Sequence, residues 1–406
     1  MVDLRPLRHR DFRLLYTAQS VSFLGTMISY VALPYQMYRV TGSSLSVGLL
    51  GLAELVALLS TAFIGGVIAD AVDRRRLALI TDVGLAVGSA TLVVLAIDDA
   101  PAWPLYFVAA WMSGIAGLQR PSTEALVVRL VPKDEQPAVA ALTLLRGSIS
   151  MIAGPALGGA LIASVGLPLT YSVDVASYAV SLACLWLIRK VPPPSGAEPP
   201  SFAAVREGFR YARSRQELIG TYVVDFVAMV FGMPLALFPA LSDRFGGPSV
   251  LGLLYAAPAG GALVAGLFAR WTSRVHRHGV AILIAAAVWG LAIVAFGFSS
   301  ALVPALGFLM VAGGADATSG VFRMTMWNQT IPDALRGRLA SIEMVSYTSG
   351  PLLGHAEAGA VAAVFGVQAS VVSGGLLCVI GVIACGLWLP RFVRYDAMQF
   401  VAPENH

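Results

Sequence analysis

Charge is what this sequence has least of. Asp, Glu, Lys and Arg make up 12% of its 406 residues, about half the share of a soluble globular domain. With 57% hydrophobic residues and a mean hydropathy of +0.76, so few charges cannot wet the surface, and lipid must be the solvent for most of it. Cysteine is nearly missing too. Cys184, Cys378 and Cys385 all lie in apolar runs without metal-ligand spacing, which argues against a metal centre and a structural disulfide. The five histidines (His9, His276, His278, His355 and His406) form no cluster with acids, and no Walker A pattern occurs. A membrane enzyme and an ATP-driven pump are therefore disfavoured, and no cofactor is expected. The net charge of +4 comes from short basic clusters between apolar runs, not from a nucleic-acid-binding face. No cleavable signal peptide is visible, because the apolar stretch behind the basic N-terminus is long enough to span.

A spanning helix needs about 20 apolar residues. Windows of that size predict twelve, at 13–38, 46–69, 77–97, 103–129, 138–163, 168–188, 217–241, 250–270, 279–298, 302–329, 338–365 and 368–390. The Lys and Arg residues test this count. Arg5, Arg8, Arg10 and Arg13, then Arg74 to Arg76, and every later cluster in alternate loops fall on one side. Only Arg39 and Arg244 fall on the other, and Arg120, Arg146 and Arg323 lie inside spans. The positive-inside rule then places both termini in the cytoplasm of a bacterial-type inner membrane.

The longest polar stretch, 189–216, carries Pro192 to Pro194, Pro199 and Pro200 and divides six spans from six. This predicts an N-terminal half (1–188), a cytoplasmic linker (189–216) and a C-terminal half (217–406). Within the linker, Phe202, Val205, Phe209 and Ala212 share one helical face and Arg206, Arg210 and Arg213 another. That reads as an amphipathic helix on the membrane surface or a solvated linker helix. Gly66 and Gly266, Arg74 and Arg274, Gly114 and Gly314, and Pro132 and Pro332 stand at one offset of 200, the mark of an internal duplication. Two such halves around a mid-membrane site are a transporter architecture. The expected fold is thus all-α, with twelve transmembrane helices in two pseudo-symmetric six-helix halves.

The loop Gly66-Val67-Ile68-Ala69-Asp70-Ala71-Val72-Asp73-Arg74-Arg75 resembles the G-x-x-x-D-x-x-G-R-K/R signature of the major facilitator superfamily, with Asp73 where the pattern has its second glycine. Gly154-Pro155-Ala156-Leu157-Gly158-Gly159 resembles the end of that family's antiporter motif. Arg10-Asp11-Phe12-Arg13, Arg146-Gly147-Ser148, Gly252 to Ala257 and Gly337-Arg338-Leu339 extend the likeness over nearly the whole chain, toward the enterobactin-exporter and macrolide-efflux branch. The resemblance implies a major facilitator fold and a gating role for Gly66, Asp70, Arg74, Arg75, Gly154, Pro155, Gly158 and Gly159. Arg120 and Glu124, four apart on one helix face, join them as a structural pair or latch partner.

Ionisable groups inside a membrane are functional candidates. In the implied fold the first, fourth, seventh and tenth spans line the cavity. Asp225 and Asp316 are then the foremost proton-coupling candidates, followed by Glu54 and Glu343. The alternative for each is a fixed ion pair or a helix-end group. Arg146 and Arg323 could pair with such acids or meet an anionic substrate. Tyr30, Trp111, Phe226, Met229, Phe322, Met326 and Trp327 would suit a bulky amphipathic ligand, or simply pack helices. The sequence thus predicts a monomeric proton antiporter exporting a siderophore or drug-like small molecule. A nutrient importer and a non-transporting polytopic protein are the alternatives.

Overall fold

The computed structural model describes the backbone of residues 3–71, 73–189 and 210–400. Within these, the side chains of 62–71, 120–122, 124–125, 128, 333–334, 336–338, 340–342, 344–345 and 399–400 lie outside the description. The described chain is helical, with no strand among the described residues. In order the helices are α1 (Arg10–Thr41), α2 (Ser44–Ala71), α3 (Arg74–Ile97), α4 (Trp103–Leu130), α5 (Gln136–Leu187), α6 (Gln216–Phe231) and α7 (Phe238–Phe245). They continue with α8 (Pro248–Leu267), α9 (His278–Gly297), α10 (Leu302–Thr330), α11 (Asp333–Phe365), α12 (Val367–Trp388) and a last turn, α13 (Pro390–Val393). The expected amphipathic linker helix falls mostly on 190–209, outside the described residues; 210–214 are helical.

Chain breaks follow local chemistry. α1 closes on Gly42, whose left-handed φ of 63° lets its N–H reach the Tyr38 carbonyl. α5 has 52 residues, about 78 Å at 1.5 Å per residue, far more than a hydrocarbon core of about 30 Å. It is two arms joined at Gly166, with φ 78° and ψ 175°. Gly366, between α11 and α12, has φ 88° and ψ 157°. Only glycine holds that conformation readily. The two stand 200 apart and share one backbone conformation. With the arms of α5 counted separately and α6 taken with α7, the helices among the described residues are consistent with the twelve expected windows. Eight segments pass as long and apolar enough to cross a membrane among the described residues, and the one holding both arms runs 55 residues.

One expected span is not a single helix. The window 217–241 breaks after Phe231, because Pro234 has no N–H to donate and disfavours helix at Met233. A 3-10 turn at Leu235–Leu237 leads into α7. The carbonyl freed at Gly232 accepts a 2.9 Å hydrogen bond from the Trp289 indole.

Packing divides the chain into two units: Met1–Pro200 with Pro239–Ala256, and Ser201–Phe238 with Ala257–His406. In the first, α1 lies along α5, α2 along α4, and α3 against α4 and α5. In the second, α9 packs on α10 and α12, and α6 on α11 and α12.

The first unit has a polar seam in its interior. Tyr171, Asp174, Tyr178 and Ser181 recur at helical spacing on the second arm of α5. Asp174 accepts hydrogen bonds from Ser29 and Ser89, both at 2.7 Å. Tyr178 meets Thr26 at 2.9 Å, and Tyr171 donates to Gln36 at 2.8 Å. Asp82 accepts from Ser181 at 2.5 Å and from Gln119. Polar groups without water must find partners inside the protein, and here neutral donors tie α1, α3 and α4 to the second arm of α5.

Candidate functional site

The second unit brings three intramembrane charges together. Arg323 of α10 forms an ion pair with Asp225 of α6. Its other terminal nitrogen lies 3.4 Å from Asp316, two turns earlier on α10. The Asp225 side chain is 9% exposed, Arg323 14% and Asp316 43%, so the arginine joins a buried acid to a more open one. The Arg323 Nε is buried and has no hydrogen-bond partner among the described atoms. Two carboxylates therefore share one cation that still holds an unused donor.

An aromatic wall stands beside this triad. The Trp327 indole donates to the Thr221 hydroxyl at 2.8 Å, and its ring lies 5.4 Å from that of Tyr222. The Tyr222 hydroxyl is buried without a partner among the described residues. Met229 packs against Gly350 of α11, where an added Cβ would lie 2.9 Å from the Met229 Cβ. Phe226 is 37% exposed, whereas Phe322 and Met326 are buried; Phe322 meets Trp271 in an edge contact and His278 in a tilted one. Glu343 lies on α11 and is partly buried.

The first unit keeps its charges apart. Glu54 of α2 makes no hydrogen bond or ion pair through its carboxylate among the described residues, while its backbone carbonyl accepts from Ser113 at 2.9 Å. Tyr30 of α1 is 38% exposed and meets Tyr255 edge-on at 5.5 Å. Arg146 of α5 hydrogen-bonds the Gln19 side-chain oxygen; its Nε is buried and unpartnered, and no carboxylate pairs with it among the described residues. Trp111 points at α3, donating to the Gly84 carbonyl at 2.8 Å.

The motif elements are also placed. Asp73 is the N-cap of α3, accepting from the backbone N–H of Arg75 at 2.9 Å and of Arg76 at 3.2 Å. Its φ of −53° requires no glycine. Arg75 donates to the carbonyls of Leu185 and Trp186, where the second arm of α5 ends and exposes acceptors. Arg74 opens α3. Gly66 and Asp70 are in helical backbone, but their side chains, like those of Arg120 and Glu124, lie outside the described residues. Gly154 faces α1 at Leu24 and Met27, and Gly158 faces Ile28. A Cβ on Gly159 would sit 2.6 Å from the Gly252 nitrogen and 2.8 Å from the Pro248 carbonyl, and Gly252 in turn abuts the Pro155 carbonyl. The start of α8 thus lies backbone to backbone on α5.

Sequence reasoning missed Asp82, Gln119, Thr221, Tyr222 and Tyr255. Asp82 had a signal, a carboxylate inside the apolar run 77–97. The others are polar or aromatic groups whose partners lie far away in sequence. Among the described residues, no three or more His, Cys, Asp or Glu are grouped to hold a metal.

Comparison with known proteins agrees with this geometry. Residues 1–403 match the transmembrane secretion effector family. The chain is 26% identical over 382 residues to the enterobactin exporter EntS of Shigella boydii serotype 18 (strain CDC 3083-94 / BS512), covering 92% of this chain and 91% of the relative. Identity and coverage are the same for the enterobactin exporter EntS of Escherichia coli O1:K1 / APEC. Among solved structures, a bacterial homolog of the human lysosomal transporter Spinster superposes with a TM-score of 0.74 at 15% identity, covering 98% of each chain. The nucleoside transporter NupG superposes with a TM-score of 0.70 at 12% identity, covering 96% of this chain and 99% of its own.

Proposed function

Since this chain belongs to the transmembrane secretion effector family of major facilitator transporters, we propose that it exports a small amphipathic molecule, a siderophore or drug-like compound, by proton antiport. The observation that carries the reading is the Asp225–Arg323–Asp316 triad. Two carboxylates cannot both be neutralised by one guanidinium in a low-dielectric site, so the set is one positive charge short of balance. A proton supplies that charge. When Asp225 takes it, Arg323 is left to Asp316, and when Asp225 releases it, the buried pair re-forms. Each proton thus changes whether Arg323 ties α10 to α6 or is paired within α10. Such exchange between two discrete arrangements is what alternating access requires of a coupling element.

The substrate class rests on other features. Tyr30 and Phe226 are exposed aromatic surfaces on the first and seventh spans. Arg146 carries a positive charge that no described carboxylate balances, which favours a ligand with an anionic or phenolic group. The enterobactin exporters share 26% identity over nearly the whole chain, in line with a siderophore. Glu54 and Glu343 are secondary sites of protonation in this scheme. The protein acts as a monomer in the inner membrane, with both termini cytoplasmic.

The test uses the purified chain in proteoliposomes with an imposed proton gradient and a panel of catecholate siderophores and lipophilic drugs. Transport should follow the gradient and stop when it is collapsed. Asp225→Asn should lose uphill accumulation yet retain substrate exchange. Transport indifferent to the gradient would overturn antiport, and uptake directed toward the cytoplasm would overturn export.

A further inference from the structure

The second unit has a cavity of about 500 Å³ that is separate from the charge triad. It runs between α9 and α10 as a groove, with the end of α8 and the loop 269–277 at its foot. Ala281, Ile284 and Val288 climb one wall along α9, and Phe322, Thr318 and Val311 climb the other along α10. From 322 to 311 the α10 wall rises about 16 Å at 1.5 Å per residue, half of a hydrocarbon core of about 30 Å. The groove is therefore one leaflet deep. Ile284 (59% exposed) and Val311 (51%) open it sideways, where lipid is the solvent.

The foot of the groove is cationic. Arg277 and Trp271 line it, and Arg270, Arg274 and His276 are exposed on the same loop. No acid occurs from 269 to 277, and no carboxylate pairs with Arg270, Arg274 or Arg277 among the described residues. The contrast with the first half is direct. At the same positions minus 200, Asp70 and Asp73 accompany the arginines, and Asp73 is consumed as a helix cap. The second copy has kept the cations and lost the anions. The backbone of the loop is also anchored, since Ala397 donates to the His276 carbonyl at 2.9 Å.

We propose that this groove is a selective site for one anionic phospholipid, with an acyl chain between α9 and α10 and its phosphate on Arg274 and Arg277. Depth, apolar walls and side opening fit a chain of one leaflet. The unbalanced arginines select a negative headgroup over a zwitterionic one, as basic pockets between membrane helices do, and Trp271 sits at the interface level that suits indoles.

The test is lipid retention by the full chain, read by native mass spectrometry after exchange into phosphatidylglycerol or phosphatidylcholine. The native protein should keep one phosphatidylglycerol at several-fold higher occupancy than phosphatidylcholine. Arg274→Gln with Arg277→Gln should bring the two to parity, and Ala281→Phe, which fills the groove, should remove both. Equal retention of the two lipids by the native protein would overturn the proposal. So would unchanged phosphatidylglycerol in Ala281→Phe, the outcome expected if the chain's own linker or detergent fills the groove. If these variants do not fold, brominated lipids decide on the native chain. The fluorescence lost in Trp271→Phe, taken as the Trp271 signal, should be quenched more by brominated phosphatidylglycerol than by brominated phosphatidylcholine. Equal quenching rejects the site. None of these readouts depends on transport.

Discussion

The triad makes an ordered prediction about stability. Arg323→Leu leaves two carboxylates without their cation, one of them in a side chain only 9% exposed. Stripping a buried charge of its partner costs about 3–5 kcal/mol. Asp225→Asn removes the buried acid, but Arg323 keeps Asp316 at 3.4 Å, so the loss should be smaller, about 1–3 kcal/mol, comparable to leaving a buried polar group poorly paired. Asp316→Asn removes a partner that is 43% exposed, where ion pairs contribute about 1 kcal/mol or less. Unfolding in graded detergent–SDS mixtures, followed by intrinsic fluorescence, should rank the variants Arg323→Leu, Asp225→Asn, Asp316→Asn from least to most stable. The double variant Asp225→Asn with Arg323→Leu should recover part of the single Arg323→Leu loss, because it removes the orphaned buried acid. A double variant no more stable than Arg323→Leu, or an Asp316→Asn less stable than Asp225→Asn, would refute the shared-cation reasoning.

Other expectations rest on separate contacts. Gly159→Val should push the start of α8 away from α5, lowering transport at least tenfold while thermal stability falls moderately; Gly252→Val should do the same, because both meet the same backbone. Asp73→Ala should destabilise the start of α3 by about 1 kcal/mol, the usual worth of an N-cap, whereas Asp73→Asn should be nearly neutral in thermal-shift assays. Arg146→Gln should weaken transport of anionic substrates several-fold and spare cationic ones, measured as KM across a charge-varied panel. Trp289→Phe should expose the break in the seventh span, seen as faster amide hydrogen exchange around Gly232, whose carbonyl loses its donor.

What the sequence revealed was mostly what the bilayer imposes. Hydropathy windows located the helices to within a few residues because the hydrocarbon core sets their length. Even the sharp turn at Gly166 fell between two expected spans, at 163 and 168. The break at Gly232 escaped because 217–241 is uniformly apolar, and hydropathy is blind to a missing N–H at Pro234. Facing was harder still. These helices are apolar around most of their circumference, so no stripe declares which side meets protein. Trp111 therefore read as a cavity residue although its indole is committed to α3, and Met326 read as a ligand contact although it is buried. The triad was legible as separate charges, and only three-dimensional proximity reveals that Arg323 joins Asp225 to Asp316.

The two units handle buried acids in opposite ways, and that contrast bears on where coupling resides. In the first, Asp174 and Asp82 receive hydrogen bonds from serines and a glutamine. Neutral donors hold an acid in place without competing for it, and several of them must break for the acid to move. Such a seam resists rearrangement and suits a rigid half. In the second, a single guanidinium serves two acids and keeps one donor unused. Its preference can shift with one proton, and α6 next to it is already interrupted at Gly232. Conformational response should therefore concentrate in the second unit. Lowering the pH across the coupling range should raise hydrogen exchange in α6 and α10 while α1 and α3 stay protected. Equal responses from both units would count against the division.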